Sequence, residues 1–160
     1  MGGMELELPF IHRLSTFPDT IFLVAGQENN CQPASNVFLL SRNCGFYHPD
    51  LINAANLVIC KSGYSTVAEC FQAGVPLVTV GRATFPESAI LEQFCTSQLG
   101  GQTLNQEEFL SGNWLDRLGT LLSSHRHPPA PINGADTIAK YLCSPTCSPA
   151  QLYTEINHTS

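Results

Sequence analysis

Short, nearly continuous apolar runs alternate along this chain with longer stretches whose apolar positions recur every three or four residues. The first pattern suits strands inside a parallel sheet, and the second suits helices packed on one face. Leu6 to Phe17 reads as a helix, with Leu6, Phe10 and Leu14 on one side. Thr20 to Ala25 reads as a buried strand closed by Gly26, and Asn36 to Leu40 as the next strand, after a polar loop containing Pro33. His48 to Ala55 is a short helix that Pro49 can start from its first turn. Asn56 to Cys60 and Leu77 to Val80 are strands on either side of a further helix. That helix stops at Gly74, in the left-handed position, with Pro76 just beyond.

Glu87 to Thr96 is helical, with Ile90, Leu91 and Phe94 as its core stripe, and Leu99 to Thr103 suggests a short edge strand. Gln106 to Ser123 is helical, with Gly112 and Gly119 as weak points. Pro128, Pro129 and Pro131 interrupt the chain before a last helix, Gly134 to Leu142. No internal repeat is present. The alternation predicts an α/β domain with a Rossmann-like parallel sheet flanked by helices, over residues 1–143. Residues 144–160 form a polar, loose tail.

One segment carries chemistry. The run Asn56 to Cys60 leads into Lys61-Ser62-Gly63-Tyr64-Ser65-Thr66-Val67-Ala68-Glu69, and Gly74-Val75-Pro76 precedes the next apolar run. Strand, Ser-Gly turn, helix, stop and strand make a βαβ unit. Unpaired amides at the helix start, with the helix dipole, favour an anion such as phosphate. Gly63 lets that anion approach the backbone, and Ser62, Ser65 and Thr66 can add hydroxyl donors. Glu69 lies roughly 10 Å further along the helix, at about 1.5 Å per residue. Its side chain leans back toward the helix start, where a carboxylate can accept hydrogen bonds from ribose hydroxyls. A plainer alternative stays open: Thr66 and Glu69 also fit the capping box T-x-x-E.

Composition narrows the partners. The 160 residues carry a net charge of −6, and only 12% are charged against 43% hydrophobic. With a pI near 5.2, a nucleic-acid binder, which needs a basic face, is not expected. A bound diphosphate must then be held by backbone dipoles and a few local cations. No apolar run approaches the ~20 residues of a membrane-spanning helix. Glu5 and Glu7 stand where a signal peptide would be basic, so a cytoplasmic location is the expectation. Of the seven cysteines, Cys60, Cys70 and Cys95 fall in predicted core elements and behave as small hydrophobes. Cys143 and Cys147, with His125 and His127 upstream, lack zinc-site spacing, so no metal is expected. Asn157-His158-Thr159 matches a glycosylation sequon by chance. G-x-S-x-G, the Walker motif and G-x-G-x-x-G are absent.

The segment around Ser62 resembles the nucleotide-binding half of GT-B glycosyltransferases, most of all the bacterial branch that adds N-acetylglucosamine to the lipid-linked peptidoglycan precursor. There a strand ending in a basic residue runs into Ser-Gly-x-x-Thr-x-x-Glu, small residues, Gly-x-Pro and another strand. Lys61, Ser62, Gly63, Thr66, Glu69, Gly74 and Pro76 fit position by position. The resemblance covers roughly Gly2 to Leu142 and is specific between about Asn43 and Phe94. It implies a UDP-sugar donor, with the diphosphate at Ser62 and Gly63 and the ribose on Glu69. It places the base on Phe46, within Gly45-Phe46-Tyr47-His48, although core packing of that ring is an equal reading. The sugar falls to the loop Gly81 to Ser88, where Glu87 matches an acidic position usually followed by glutamine. Ser88 and Ala89 depart from that pattern, and Arg82 can balance phosphate charge.

In the same family the domain opens with a strand, a Gly-rich turn and a helix. Gly2 and Gly3 then read as the end of that turn, at the diphosphate, with the first strand missing; a flexible start is the other reading. The resemblance further implies that acceptor and catalytic base come from an N-terminal GT-B domain, in cis or as a partner chain. No cofactor is implied beyond the donor substrate. The expected function is the donor half of an enzyme that transfers a hexosyl group. The alternatives are a non-catalytic nucleotide-sugar-binding subunit, as in split enzymes of dolichol-linked glycan assembly, and a nucleotide-sugar hydrolase fragment.

Overall fold

A computed structural model describes residues 8–81, 86–129 and 134–143. Gly2, Gly3, Arg82 and the tail from 144 onward lie outside the described residues. The first helix, α1 (Ile11–Leu14), is shorter than the apolar spacing suggests. Just after it, the Ser15 hydroxyl donates to the His12 carbonyl and the Thr16 hydroxyl to that of Arg13. Such local side-chain bonds compete with helix continuation, and Pro18 follows.

Strand β1 (Phe22–Gln27) runs through Gly26 instead of ending there. Gly26 takes φ of 91°, and the register with the next parallel strand slips between Ala25 and Gln27. Gly26 therefore marks a bulge. Residues Cys31–Ala34, expected as loop, form β2, antiparallel to β3 (Val37–Ser41). Pro33 is compatible with this because β2 is an edge strand, where a missing N–H costs nothing. Helix α2 (His48–Ala54) begins with Pro49 in its first turn, as expected.

Next comes the unit β4 (Val58–Lys61), α3 (Tyr64–Ala73) and β5 (Leu77–Val80), with β4 and β5 parallel. Helix α4 (Ser88–Gln98) and β6 (Gln102–Leu104) extend it, β6 pairing parallel to β5. The predicted long helix after residue 105 breaks at Gly112, whose φ is 71°. It becomes α5 (Gln106–Ser111), a 3-10 turn (Asn113–Arg117) and α6 (Leu118–Leu122). A full capping box at Asn105 and Glu108 starts α5. The last described helix is α7 (Gly134–Cys143).

The strands form two three-stranded sheets, ordered β1-β3-β2 and β4-β5-β6. One apolar cluster runs beneath both: Phe10 and Leu14 meet Val37, Val78, Leu104 and the Trp114–Leu121 segment. The second cluster covers only the other face of β4 and β5, through Ile52, Val67, Cys70, Leu77, Leu91, Cys95 and Leu99. Strand β5 is therefore buried at every position, which is why it is apolar without alternation. Strand β1 alternates instead: Phe22 and Val24 pack on the core while Leu23 is 49% exposed. Its expected burial on both faces is corrected accordingly. In α4 the buried apolar residues are Leu91 and Cys95, and Ile90, expected in the core, is exposed.

In a doubly wound sheet the first strand runs between the second and the fourth. Strands β1 and β3 pair as the second and third do, and β4, β5 and β6 as the fourth to sixth do. Among the described residues no strand joins β1 to β4.

Asn36 secures the chain before β1. Buried beside β3, its side-chain amide donates to the carbonyls of Leu14, Phe17 and Thr20 at 3.1, 2.9 and 3.0 Å. Asn36→Ala leaves these carbonyls without that donor and should cost about 1–3 kcal/mol. Urea denaturation reads this as a lower midpoint at unchanged slope.

Candidate functional site

The parallel pair β4–β5 ends at Lys61 and Val80, and the Ser62 amide carries the ladder one bond further, to the Val80 carbonyl. Past that bond the chain turns at Gly63, the N-cap of α3, in an extended conformation. The N-cap Gly63 offers no side-chain cap to the first-turn amides of α3, and among the described residues no other side chain is seen bonded to them. The T-x-x-E reading is thereby corrected: the helix begins ahead of Thr66, and Thr66 is not its cap. Among the described residues, a Cβ built on Gly63 would meet nothing closer than the Lys61 carbonyl, at 3.9 Å. The turn is open, with its amides at the C-terminal edge of a parallel sheet, where ligands of such folds bind.

The predicted phosphate hydroxyls divide. Ser65 is exposed and Thr66 half-buried in the first turn. Ser62 is 1% exposed, and its hydroxyl faces inward, 3.2 Å from Glu92 Oε1 and 3.4 Å from the Val80 carbonyl. The Ser62 side chain thus ties α4 to the turn, and its backbone belongs to the open edge. A Cβ on Gly81 would stand 3.1 Å from the same Glu92 oxygen, so this corner is already filled.

Sequence reasoning missed Glu92. The signal for it was the dipeptide Glu92-Gln93, an acidic residue followed by glutamine, four residues after Ser88. Of the sugar-loop candidates, Glu87 is the N-cap residue of α4 with no capping bond from its side chain. Ser88 is buried, and its hydroxyl has no hydrogen-bond partner among the described residues.

Glu69 lies on α3 with its side chain 29% exposed and accepts a hydrogen bond from His48 Nδ1 at 2.8 Å. His48 opens α2, so this contact brings the preceding loop alongside α3. In that loop Gly45 has φ of 80°, and Phe46 and Tyr47 are 64% and 69% exposed. Phe46 is therefore not a core residue, and the packing alternative for its ring is corrected. The structure joins His48 to Glu69 on the helix that starts at the Gly63 turn; Phe46 stands exposed two residues before His48, and exposed Tyr64 takes the first helical position.

The three cysteines of the β4–α3 and α4 core add no nucleophile. Burial pushes the Cys60 and Cys70 thiols up to about 12 and that of Cys95 up to about 11, so they stay protonated near neutrality. Among the described residues no group of three or more His, Cys, Asp or Glu is placed to hold a metal ion. No described helix is long and apolar enough to cross a membrane.

Against known proteins, the family model for the glycosyltransferase family 28 C-terminal domain matches residues 20–131. That span contains the whole β4–α3–β5 unit. L-arabinokinase from Arabidopsis thaliana is 29% identical over 120 residues, which is 75% of this chain and 11% of that protein. The chain thus spans about a tenth of the length of this relative. No solved structure matches.

Proposed function

The chain belongs to the glycosyltransferase family 28 C-terminal domain family, and from that premise we propose that it is the donor-binding half of a GT-B glycosyltransferase using a UDP-sugar. The observation that carries the reading is the start of α3 at Gly63, an N-cap without a side chain over the first-turn amides, with the Glu69 carboxylate further along the same helix. The diphosphate rests on the amides of Gly63 to Thr66, the ribose hydroxyls donate to Glu69, and the uracil packs on Phe46. As the bond from the sugar to the diphosphate breaks, negative charge grows on the leaving UDP. Fixed amide dipoles at the helix start stabilise that charge. Acceptor and base come from an N-terminal GT-B domain, in cis or in a partner chain, and a hexosyl group is transferred.

A thermal-shift screen of UDP, ADP, GDP and UDP-sugars tests the donor site. Ligand at about a hundred times its Kd adds about 2.7 kcal/mol to the folded state, and the uridine series should give the largest shift. Equal or absent shifts across the series would remove the support for a uridine site. The 160-residue chain alone should bind donor without transferring sugar, and adding the N-terminal domain should restore transfer. Transfer by the isolated chain as a folded monomer would overturn this division of labour.

A second reading is a binding module without transfer of its own. Donor binding without transfer, even in the presence of the rest of the natural protein, would select it.

A further inference from the structure

We infer that His48 is a positioning residue: it holds the Glu69 carboxylate in the orientation that receives the ribose. The inference rests on the donor site proposed above. A carboxylate only accepts hydrogen bonds, so at 2.8 Å from Glu69 Oε2 the Nδ1 of His48 must carry the proton. That bond commits one oxygen and one rotamer of Glu69, leaving Oε1 to receive hydroxyl donors. Without it, a glutamate that is 29% exposed samples several rotamers, and each ligand must order it on binding.

The position of His48 adds a second consequence. It is the first residue of α2, immediately after Phe46 and Tyr47, whose rings are exposed. A single hydrogen bond therefore links the loop expected to meet the base with the carboxylate expected to meet the ribose. Pro49, next in sequence, fixes the backbone there with φ near about −65°, so the imidazole is presented from a stiff helix start. His48 is not needed to hold the elements together. The α2–α3 contact also rests on buried Ile52, Val67 and Cys70, and the Arg126 guanidinium bridges the Asn53 and Ala73 carbonyls.

The test compares UDP with 2′,3′-dideoxy-UDP by calorimetric titration, in the parent protein, His48→Ala and His48→Asn, with pyrophosphate as a control. The Asn amide can replace the Nδ1 donor, whereas Ala cannot. His48→Ala should lower the preference for ribose over dideoxyribose about 2- to 5-fold, the range of an exposed ion pair. It should leave pyrophosphate affinity unchanged, and His48→Asn should restore most of the preference. If His48→Ala keeps the full ribose preference, or weakens pyrophosphate equally, the positioning role is wrong while the donor site stands. If the parent protein prefers neither nucleotide, the donor site and the role of His48 fall together. A melting temperature recorded for each variant identifies any that is not folded, and His48→Asn then decides alone: loss of ribose preference in a folded His48→Asn counts against the role.

Discussion

Glu69→Gln should lower the affinity of the folded chain for UDP by about 10- to 150-fold. In the proposed donor site the carboxylate accepts a charge-assisted hydrogen bond from a ribose hydroxyl, worth ~1.5–3 kcal/mol, and every ~1.4 kcal/mol is tenfold in affinity. An uncharged amide of the same shape retains a weaker acceptor and turns a donor toward hydroxyls and toward His48. Stability should barely change, because among the described residues the substitution disturbs an exposed pair with His48, worth about 0–1 kcal/mol. Calorimetric titration with UDP, paired with a thermal melt, separates the two effects. Unchanged affinity with a lowered melting temperature would make Glu69 a structural residue of α3 and not a ligand contact.

Gly74→Ala should show the opposite pattern, a large drop in stability unconnected with ligand chemistry. Gly74 ends α3 at φ of 66°, and its amide bonds back to the Phe71 carbonyl at 3.1 Å. The left-handed conformation alone costs a residue with a Cβ roughly 1–2 kcal/mol. Here a Cβ would also fall 2.0 Å from the His127 carbonyl oxygen. The His127 segment is held by its own amide, which donates to the Gly74 carbonyl at 2.9 Å, so it cannot retreat without breaking that bond. The expected cost is about 2–4 kcal/mol, a large part of the ~5–15 kcal/mol typical of a domain. Guanidinium denaturation reads it as a lowered midpoint. A midpoint matching the parent's would mean that the 124–128 segment yields freely.

Much of this architecture was legible from apolar runs and punctuation. Gly74 and Pro76 marked the end of α3 because a left-handed glycine and a proline are what such a stop requires. The continuous run Leu77 to Val80 marked a strand covered on both faces. What escaped depended on pairing and packing that a segment's own pattern does not show. Strand β2 is exposed and contains a proline, and it exists because β3 offers an edge to pair with. Ile90 matched helical spacing, but the burial of α4 is set by Leu91, Cys95 and Leu99, one step round the helix.

The site divided in the same way. Its local parts, the Gly63 turn and the placement of Glu69 on α3, followed from spacing along the chain. Its long-range parts did not. The bond from Glu92 to Ser62 spans 30 positions and the one from His48 to Glu69 spans 21. No periodicity within either segment encodes which side chain will face which. The exposure of Phe46 also needed the fold, since an aromatic after glycine fits a core position equally well.

Titrating UDP into the isotopically labelled chain while following backbone amide resonances tests the proposed uridine diphosphate site at the start of α3. Saturable shifts are expected, centred on Gly63, Tyr64, Ser65 and Thr66, with Glu69 and Phe46 moving at the same ligand concentrations and α7 unaffected. Saturation at millimolar UDP with no movement of the Gly63–Thr66 amides, or with shifts centred on another element, would contradict that site.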